Sequence, residues 1–241
     1  MPEFRLFSPE HLIALLLTAA SCTGCLMLRR VNLSPSQAKV GAWVIIGMLL
    51  AYAITSYTKI VINGTFTLQT GLPLHLCDVL VIVCLLALAT RHQLLFETAY
   101  FLGLAGTLQT LITPNLEVGF PTMRCLIFFW MHGVILVAIC FMIGAYRLRP
   151  QPGCIGRMFL IINLYVLAAL LVNAVVGANY GFLSRPPMNQ ENLILAISRW
   201  APWPWYILVL EIIALASFLI YYAPWLIKDR LTKHTKKHAN T

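Results

Sequence analysis

The chain has 241 residues, of which 60% are hydrophobic and only 10% are charged, and its mean hydropathy is +0.81. Soluble domains usually carry about a quarter charged residues, so this composition excludes a soluble globular protein and indicates an integral membrane protein. The formal net charge is +9, but the basic residues do not alternate with aromatic ones, so we expect membrane lipids rather than nucleic acid as their partner.

Seven stretches of the chain are long and apolar enough to cross a bilayer, which takes about 20 residues. Continuous apolar runs predict helices, because a closed barrel needs short strands of alternating polarity. The predicted helices span roughly residues 10–28, 40–60, 72–90, 94–112, 123–146, 158–178 and 204–226. We therefore predict an all-α membrane protein, with a seven-transmembrane-helix domain over residues 1–227 and a basic cytoplasmic tail over residues 228–241.

The lysines and arginines indicate how this bundle is oriented. Twelve of the 17 fall in the first, third and fifth connections and in the tail, and the remaining five are Arg5, Lys59, Arg124, Arg185 and Arg199. Cytoplasmic loops carry the excess of basic residues. We predict a multi-pass protein of the plasma membrane with its N-terminus outside and its C-terminus inside.

An unusual group of polar residues opens the third predicted helix, where His75, Cys77 and Asp78 fall within four positions. Pro73 suits the first position of a helix, which predicts Cys77 in the first turn or two, where a helix N-terminus favours a thiolate. Residues two apart point about 200° away from each other on a regular helix. His75 can therefore act with Cys77 only if this turn is irregular, and otherwise serves another partner.

His132, in the fifth predicted helix, is the candidate base for Cys77. With a rise of about 1.5 Å per residue, Cys77 lies roughly 8 Å and His132 roughly 15 Å below the outer ends of their helices, which are similar depths. Other polar residues gather in the same outer half of the bundle. They are Asp78, Gln109, Asn115, Asn173, Asn179, Tyr180 and Glu211. This asymmetry predicts a polar pocket that opens toward the outer face or outer leaflet, with these residues in contact with a substrate.

Structural roles are the alternative for each of these residues. Asp78 and Glu211 can hold helices together through hydrogen bonds, and Asn173 can be an interhelical hydrogen bonder. His75, Asp78, His132 and Glu211 are types of metal ligand, but none of the seven predicted transmembrane helices carries an HxxxH or HExxH spacing. We expect no metal and no cofactor.

Several motifs resemble, in order and register, the YwaF-type family of bacterial integral membrane proteins. They occupy residues 72–78, 97–109, 111–115, 128–129, 132–133, 177–180 and 203–206, with Asn173 between them. The family is similar to the eukaryotic transmembrane protein 164, an acyltransferase that moves polyunsaturated acyl chains onto lyso ether phospholipids and has a cysteine in its active centre. The resemblance implies that Cys77 is the reactive cysteine, that His132 is its partner and that a lysophospholipid or another acyl-lipid is the substrate.

The leading interpretation is a lipid acyl-transfer or acyl-hydrolysis enzyme, such as a cysteine-dependent phospholipid acyltransferase. Cys77 attacks the acyl ester, His132 takes its proton, and His75 or Asp78 orients them. Donors to the oxyanion come from Asn115, Asn173 or Asn179. The alternative is a small-molecule or ion transporter, or a binding protein, that uses Asp78, Glu211 and the histidines. A purely structural subunit is a third interpretation, and the sequence leaves the oligomeric state open.

Overall fold

The computed structural model describes residues 2–187 and 193–238, with side chains as far as residue 231. The described residues are helical, and they contain no strand beyond an isolated bridge between Glu3 and Val118. The α-helices are α1 (Pro9–Met27), α2 (Pro35–Ile62), α3 (Leu76–Thr90), α4 (Gln93–Leu102), α5 (Gln109–Ile112), α6 (Met123–Gly144), α7 (Cys154–Val176), α8 (Leu193–Ser198) and α9 (Trp205–His238). A π-helical segment, Gly103–Leu108, joins α4 to α5.

Local signals in the sequence explain where the long helices begin and end. Ser8 and Ser34 accept hydrogen bonds from backbone N–H groups in the first turns of α1 and α2, and a proline follows each serine. Both features are typical of helix N-termini. Gly177 ends α7 in the left-handed conformation, with a φ of 70°, which a glycine adopts without a steric penalty.

Five helices are long and apolar enough to cross a membrane, namely α1 with its 3-10 extension to Arg30, α2, α6, α7 and the Trp205–Leu231 part of α9. The other two predicted spans are less regular. Helix α3 has only 15 residues, and the region from α4 to α5 is interrupted by the π-helical segment. The all-helical fold is confirmed, whereas the count of seven spans and the orientation stay predictions.

Helix α6 is the centre of the bundle. It is the most buried of the five spans. In its 18-residue apolar stretch 56% of the residues are buried, against 6% in the corresponding stretch of α1. Small residues allow its close approach to its neighbours. A Cβ atom at Gly144 would collide with the carbonyl oxygen of Cys25 in α1, and one at Gly103 would stand 2.6 Å from Ile139 of α6. Close backbone packing at glycine is typical of helix interfaces in membranes.

An ion pair with a buried carboxylate involves Glu97 in the middle of α4 and Arg157 of α7. Glu97 has no exposed surface, and its carboxylate accepts hydrogen bonds from the guanidinium of Arg157, from the Gln93 amide and from the backbone N–H of Gln151. A buried carboxylate needs such partners, because an uncompensated one costs several kcal/mol. This network fastens α4 to α7 and to the α6–α7 connection.

One expectation from the sequence was wrong in detail. Pro73 does not begin the third helix, because α3 begins at Leu76 with His75 as its N-cap. The segment before it is irregular and is held by two tyrosines described below. The predicted tail over residues 228–241 stays a prediction. Helix α9 continues into it as far as His238, and residues 239–241 lie outside the described residues.

Candidate active site

The start of α3 places Cys77 at the wall of a large cavity. Cys77 is the second residue of the helix, where the first N–H groups have no intrahelical acceptor. His132, the tenth residue of α6, lies about 13 Å along its own helix from the start of α6. The two residues nevertheless meet, so α3 begins deep inside the bundle, which accounts for its short length.

His132 is arranged as a base for the Cys77 thiol. Its Nδ1 lies 2.7 Å from the carbonyl oxygen of Phe128. A carbonyl oxygen only accepts hydrogen bonds, so Nδ1 carries the ring proton and Nε2 is free to accept one. The Cys77 Sγ lies 3.2 Å from Nε2, and the thiol therefore donates to His132. His132 is only 3% exposed, so its ring is held within the bundle at the wall of the cavity.

Tyrosine hydroxyl groups hold the irregular segment that leads to Cys77. The Tyr180 hydroxyl donates to the carbonyl of Leu68 at 2.9 Å and accepts from the N–H of Leu72 at 3.0 Å. The Tyr165 hydroxyl donates to the carbonyl of Leu74 at 3.0 Å. Irregular backbone at membrane depth is tolerated where its polar groups are satisfied within the protein. These bonds let the chain before α3 enter the bundle without forming a helix.

Asp78 faces the same cavity and is bound to a neighbouring helix. The hydroxyl of Tyr52 in α2 donates to Asp78 Oδ1 at 3.0 Å. Neither Tyr52 nor Tyr165 stands out in the sequence. The available signal for Tyr52 is its place in the middle of an apolar helix, where a buried tyrosine hydroxyl usually finds a partner.

The cavity has a volume of about 680 Å³, within the usual range for small-molecule pockets of about 300–1,000 Å³. At one end it is lined by the predicted residues His75, Cys77, Asp78, Gln109, Asn115, His132 and Glu211. At the other end its lining is mostly apolar and comes from α4, α7 and α9. The residues there include Leu102, Ile162, Val166, Ala214, Ser217 and Tyr221.

We call the end of the cavity that is lined by these polar residues its mouth. The polar residues there differ in their hydrogen bonds. The Gln109 amide donates to the Thr113 hydroxyl at 3.3 Å. Asn115 has a buried side-chain oxygen with no hydrogen-bond partner among the described residues. Glu211 is partly buried on α9. His75 contacts the rings of Tyr180 and Phe182, with centroid distances of 5.3 and 5.5 Å.

Three of the predicted substrate-binding residues lie outside the cavity lining. Asn173 donates to the carbonyl of Tyr180 and accepts from its N–H, at 3.0 and 2.7 Å. Asn179 accepts from the N–H groups of Ser184 and Arg185 and donates to the carbonyl of Arg185. Tyr180 holds residues 68–72, as described above. All three satisfy backbone groups near the end of α7.

Histidine, cysteine and carboxylate side chains do not gather into a metal site here. Within residues 2–187 and 193–231, no group of three such side chains is placed to hold a metal ion. The arrangement that is present, a thiol bonded to a correctly protonated imidazole beside a largely apolar cavity, suits nucleophilic attack on an apolar substrate.

Comparisons with known proteins agree with the similarity inferred from the motifs. A family model described as the TMEM164 family matches residues 6–222. Neither a curated protein nor a solved structure matches the chain.

Proposed function

The chain belongs to the TMEM164 family, and from that premise we propose that it is a membrane enzyme that transfers or hydrolyses lipid acyl groups through Cys77 and His132. The observation that carries the proposal is the 3.2 Å contact between Cys77 Sγ and the unprotonated Nε2 of His132. A nucleophile and its base must come within hydrogen-bond reach. The adjoining cavity is large and apolar enough for an acyl chain.

In the first half of the reaction, His132 Nε2 takes the proton of the Cys77 thiol as the sulfur attacks the carbonyl carbon of an acyl ester. A carbon–sulfur bond forms and the ester carbon–oxygen bond breaks, which leaves a thioester on Cys77. The departing alkoxide takes the proton from His132. In the second half, His132 removes a proton from the hydroxyl of an acceptor lipid or from water, that oxygen attacks the thioester, and the thiolate recovers the proton.

The oxyanion of each tetrahedral intermediate needs hydrogen-bond donors. The backbone N–H of Cys77, at the start of α3, is one donor in this proposal. The side-chain NH₂ of Asn115 is the other, because this side chain lines the cavity and its nitrogen donates to no residue that the structure describes. Asn173 and Asn179 are positioning residues in this proposal, because the side chains of both already form hydrogen bonds with backbone groups of the loop.

Three further residues position the site in this proposal, namely Asp78, Tyr180 and His75. Asp78 ties the first turn of α3 to Tyr52 of α2, and Tyr180 fixes the segment before α3. The ring of His75 contributes to the mouth of the cavity, where Gln109 and Glu211 face the polar part of a substrate.

The apolar end of the cavity is the site proposed for the acyl chain. It continues past the level of Cys77 along α9, from Ala214 to Tyr221. A transporter draws less support, because this end offers few polar groups for an ion path. The polar pair beyond it consists of Glu97 and Arg157, which already bind each other in a salt bridge.

The topology that accompanies this function has seven spans. The short helix α3 with its irregular lead-in makes the third span, and the α4 to α5 region makes the fourth. The cavity then opens toward the outside of the plasma membrane, as the distribution of lysine and arginine favours.

The test compares the wild type with Cys77→Ala and His132→Ala in membranes that contain a phospholipid with a labelled acyl chain and an added lysophospholipid. We expect Cys77→Ala to abolish both acyl transfer and release of free fatty acid. Loss of the base lowers the rate by about 10²–10⁴-fold. Cys84→Ala is the matched control, because Cys84 is buried on the same helix and does not line the cavity. Equal rates in all four proteins would show that the chemistry lies elsewhere.

A further inference from the structure

A second cavity, which we call the side cleft, lies between α2 and α6 and has a volume of about 210 Å³. Four of its residues also line the large cavity, so the two spaces adjoin at these side chains. These shared residues are Tyr52, Asn115, Phe128 and Met131. The residues that belong to the side cleft alone are Ser56, Leu116, Arg124 and Ile127.

Arg124 gives the side cleft its charge. It is exposed, and its side chain forms no ion pair or hydrogen bond with any residue that the structure describes. Among the described residues that line either cavity, it is the only lysine or arginine. The large cavity instead carries the carboxyl groups of Asp78 and Glu211. A negatively charged group is therefore disfavoured in the large cavity and favoured in the side cleft.

The start of α6 adds to this preference. Arg124 is the second residue of the helix, and the N-cap residue Thr122 provides no side-chain cap, because its hydroxyl donates to the carbonyl of Gly119 at 2.6 Å. The first N–H groups of a helix attract anions when they are left uncapped. A guanidinium can also bind two oxygens of one phosphate through parallel hydrogen bonds.

The distance between the two sites fits a glycerolipid. Arg124 and His132 are eight residues apart on α6, which is about 12 Å along the axis. The side cleft runs along this part of α6, because its lining extends from Arg124 to Met131, the residue before His132. A glycerol unit joins the ester of a glycerolipid to its head-group phosphate. The exposed apolar residues Met123 and Leu126 beside Arg124 place this opening toward lipid.

We propose that the side cleft binds the phosphate of a phospholipid from the surrounding leaflet, with Arg124 as its main ligand, while an ester of that lipid lies at Cys77. The part of this proposal that concerns the reaction of the ester rests on the proposed function. Binding of the head group requires no reaction, so it can be measured by itself.

The experiment uses purified Cys77→Ala protein in uncharged detergent, so that no turnover occurs. It measures equilibrium binding of radiolabelled lysophosphatidylglycerol and of a monoacylglycerol with the same acyl chain. Introducing Arg124→Gln into the Cys77→Ala protein is expected to weaken binding of lysophosphatidylglycerol by about tenfold or more. Binding of the monoacylglycerol is expected to be unchanged. Arg124→Lys recovers part of the affinity. Arg5→Gln, an exposed arginine at the same end of the bundle, has no effect.

Equal binding of lysophosphatidylglycerol by Arg124→Gln and Arg5→Gln would overturn the proposal, and so would an equal loss for both lipids. Complete displacement of the lipid by millimolar inorganic phosphate would reassign the cleft to soluble phosphate and overturn it as well, whereas lack of displacement supports it. A failure of the proposed function is distinguishable. In that case wild-type transfer does not depend on Cys77, while the selective effect of Arg124→Gln on binding persists.

Discussion

At the scale of single residues, the chemistry of the pocket depends on which atoms are already bonded. The carbonyl of Phe128 occupies Nδ1 of His132 and so leaves Nε2 for the thiol. Tyr52 occupies one oxygen of Asp78. A second bond on each functional side chain fixes its orientation, which a reactive centre requires.

The sequence was most informative about residues whose partners are other side chains at the same depth. Similar depths led to the expectation that Cys77 and His132 meet, and the structure brings their atoms to 3.2 Å. It was least informative about Asn173 and Asn179, whose partners are backbone atoms of an irregular loop. Depth along a helix says nothing about the path of such a loop.

Tyr52→Phe removes the hydrogen bond to Asp78 and preserves the ring. Hydrogen bonds to charged groups contribute about 1.5–3 kcal/mol, and the first turn of α3 loses its tie to α2. We expect the rate of acyl transfer to fall by about tenfold, with the protein still folded. Transfer assays at matched protein levels check this. Tyr57→Phe, in the same helix but without a side-chain hydrogen bond among the described residues, serves as the control, and equal rates in the two variants would exclude a role for this bond.

At the scale of helices, α3 and α6 together explain how the site forms. Helix α6 supplies His132 from a buried central position, and α3 begins deep enough to present Cys77 to it. The π-helical segment passes next to α3, and its residues Ala105 and Gly106 line the cavity. Such segments are rare and occur often at functional sites. The continuous apolar run predicted a helix in this region but could not predict the change in winding, because such a run has no periodicity that distinguishes the two forms.

Gly144→Ala tests the close packing of α6 against α1. An added Cβ would collide with the carbonyl oxygen of Cys25, which is backbone and cannot rotate away. Overpacking of this kind costs about 1–3 kcal/mol, so we expect the thermal midpoint of the purified protein to fall by several degrees. Gly47→Ala is the control, since no atom lies within 4 Å of its added Cβ. An unchanged midpoint for Gly144→Ala would show that these helices are not in such close contact.

At the scale of the whole molecule, the bundle divides into two halves with different tasks. The half that contains Cys77 and His132 encloses the cavity and its polar mouth. The other half is closed by the bonded pair of Glu97 and Arg157. Composition alone predicted the membrane class and the all-helical fold, because both follow from the amount and continuity of apolar sequence. The apolar end of the cavity depends on how α4, α7 and α9 pack together, which hydropathy does not encode.

Ala214→Trp fills the apolar end of the cavity without touching Cys77 or His132. We expect transfer of long acyl chains to fall by at least about tenfold, and transfer of short chains to be nearly unchanged, because only long chains reach this end. Competition between long-chain and short-chain donors measures the ratio. Ala216→Trp is the matched control, since Ala216 is exposed on the same helix and does not line the cavity. An equal effect on both chain lengths would contradict this assignment.

The covalent state of Cys77 tests the central claim most directly. The purified protein in lipid nanodiscs is incubated with a phospholipid donor, quenched in acid and analysed by mass spectrometry of the intact chain and its peptides. We predict the added mass of one acyl group on Cys77, removable by hydroxylamine, absent in Cys77→Ala, strongly reduced in His132→Ala and unchanged in Cys84→Ala. Turnover of the lipid without any acyl group on Cys77, or equal acylation of Cys77 and Cys84, would contradict the account.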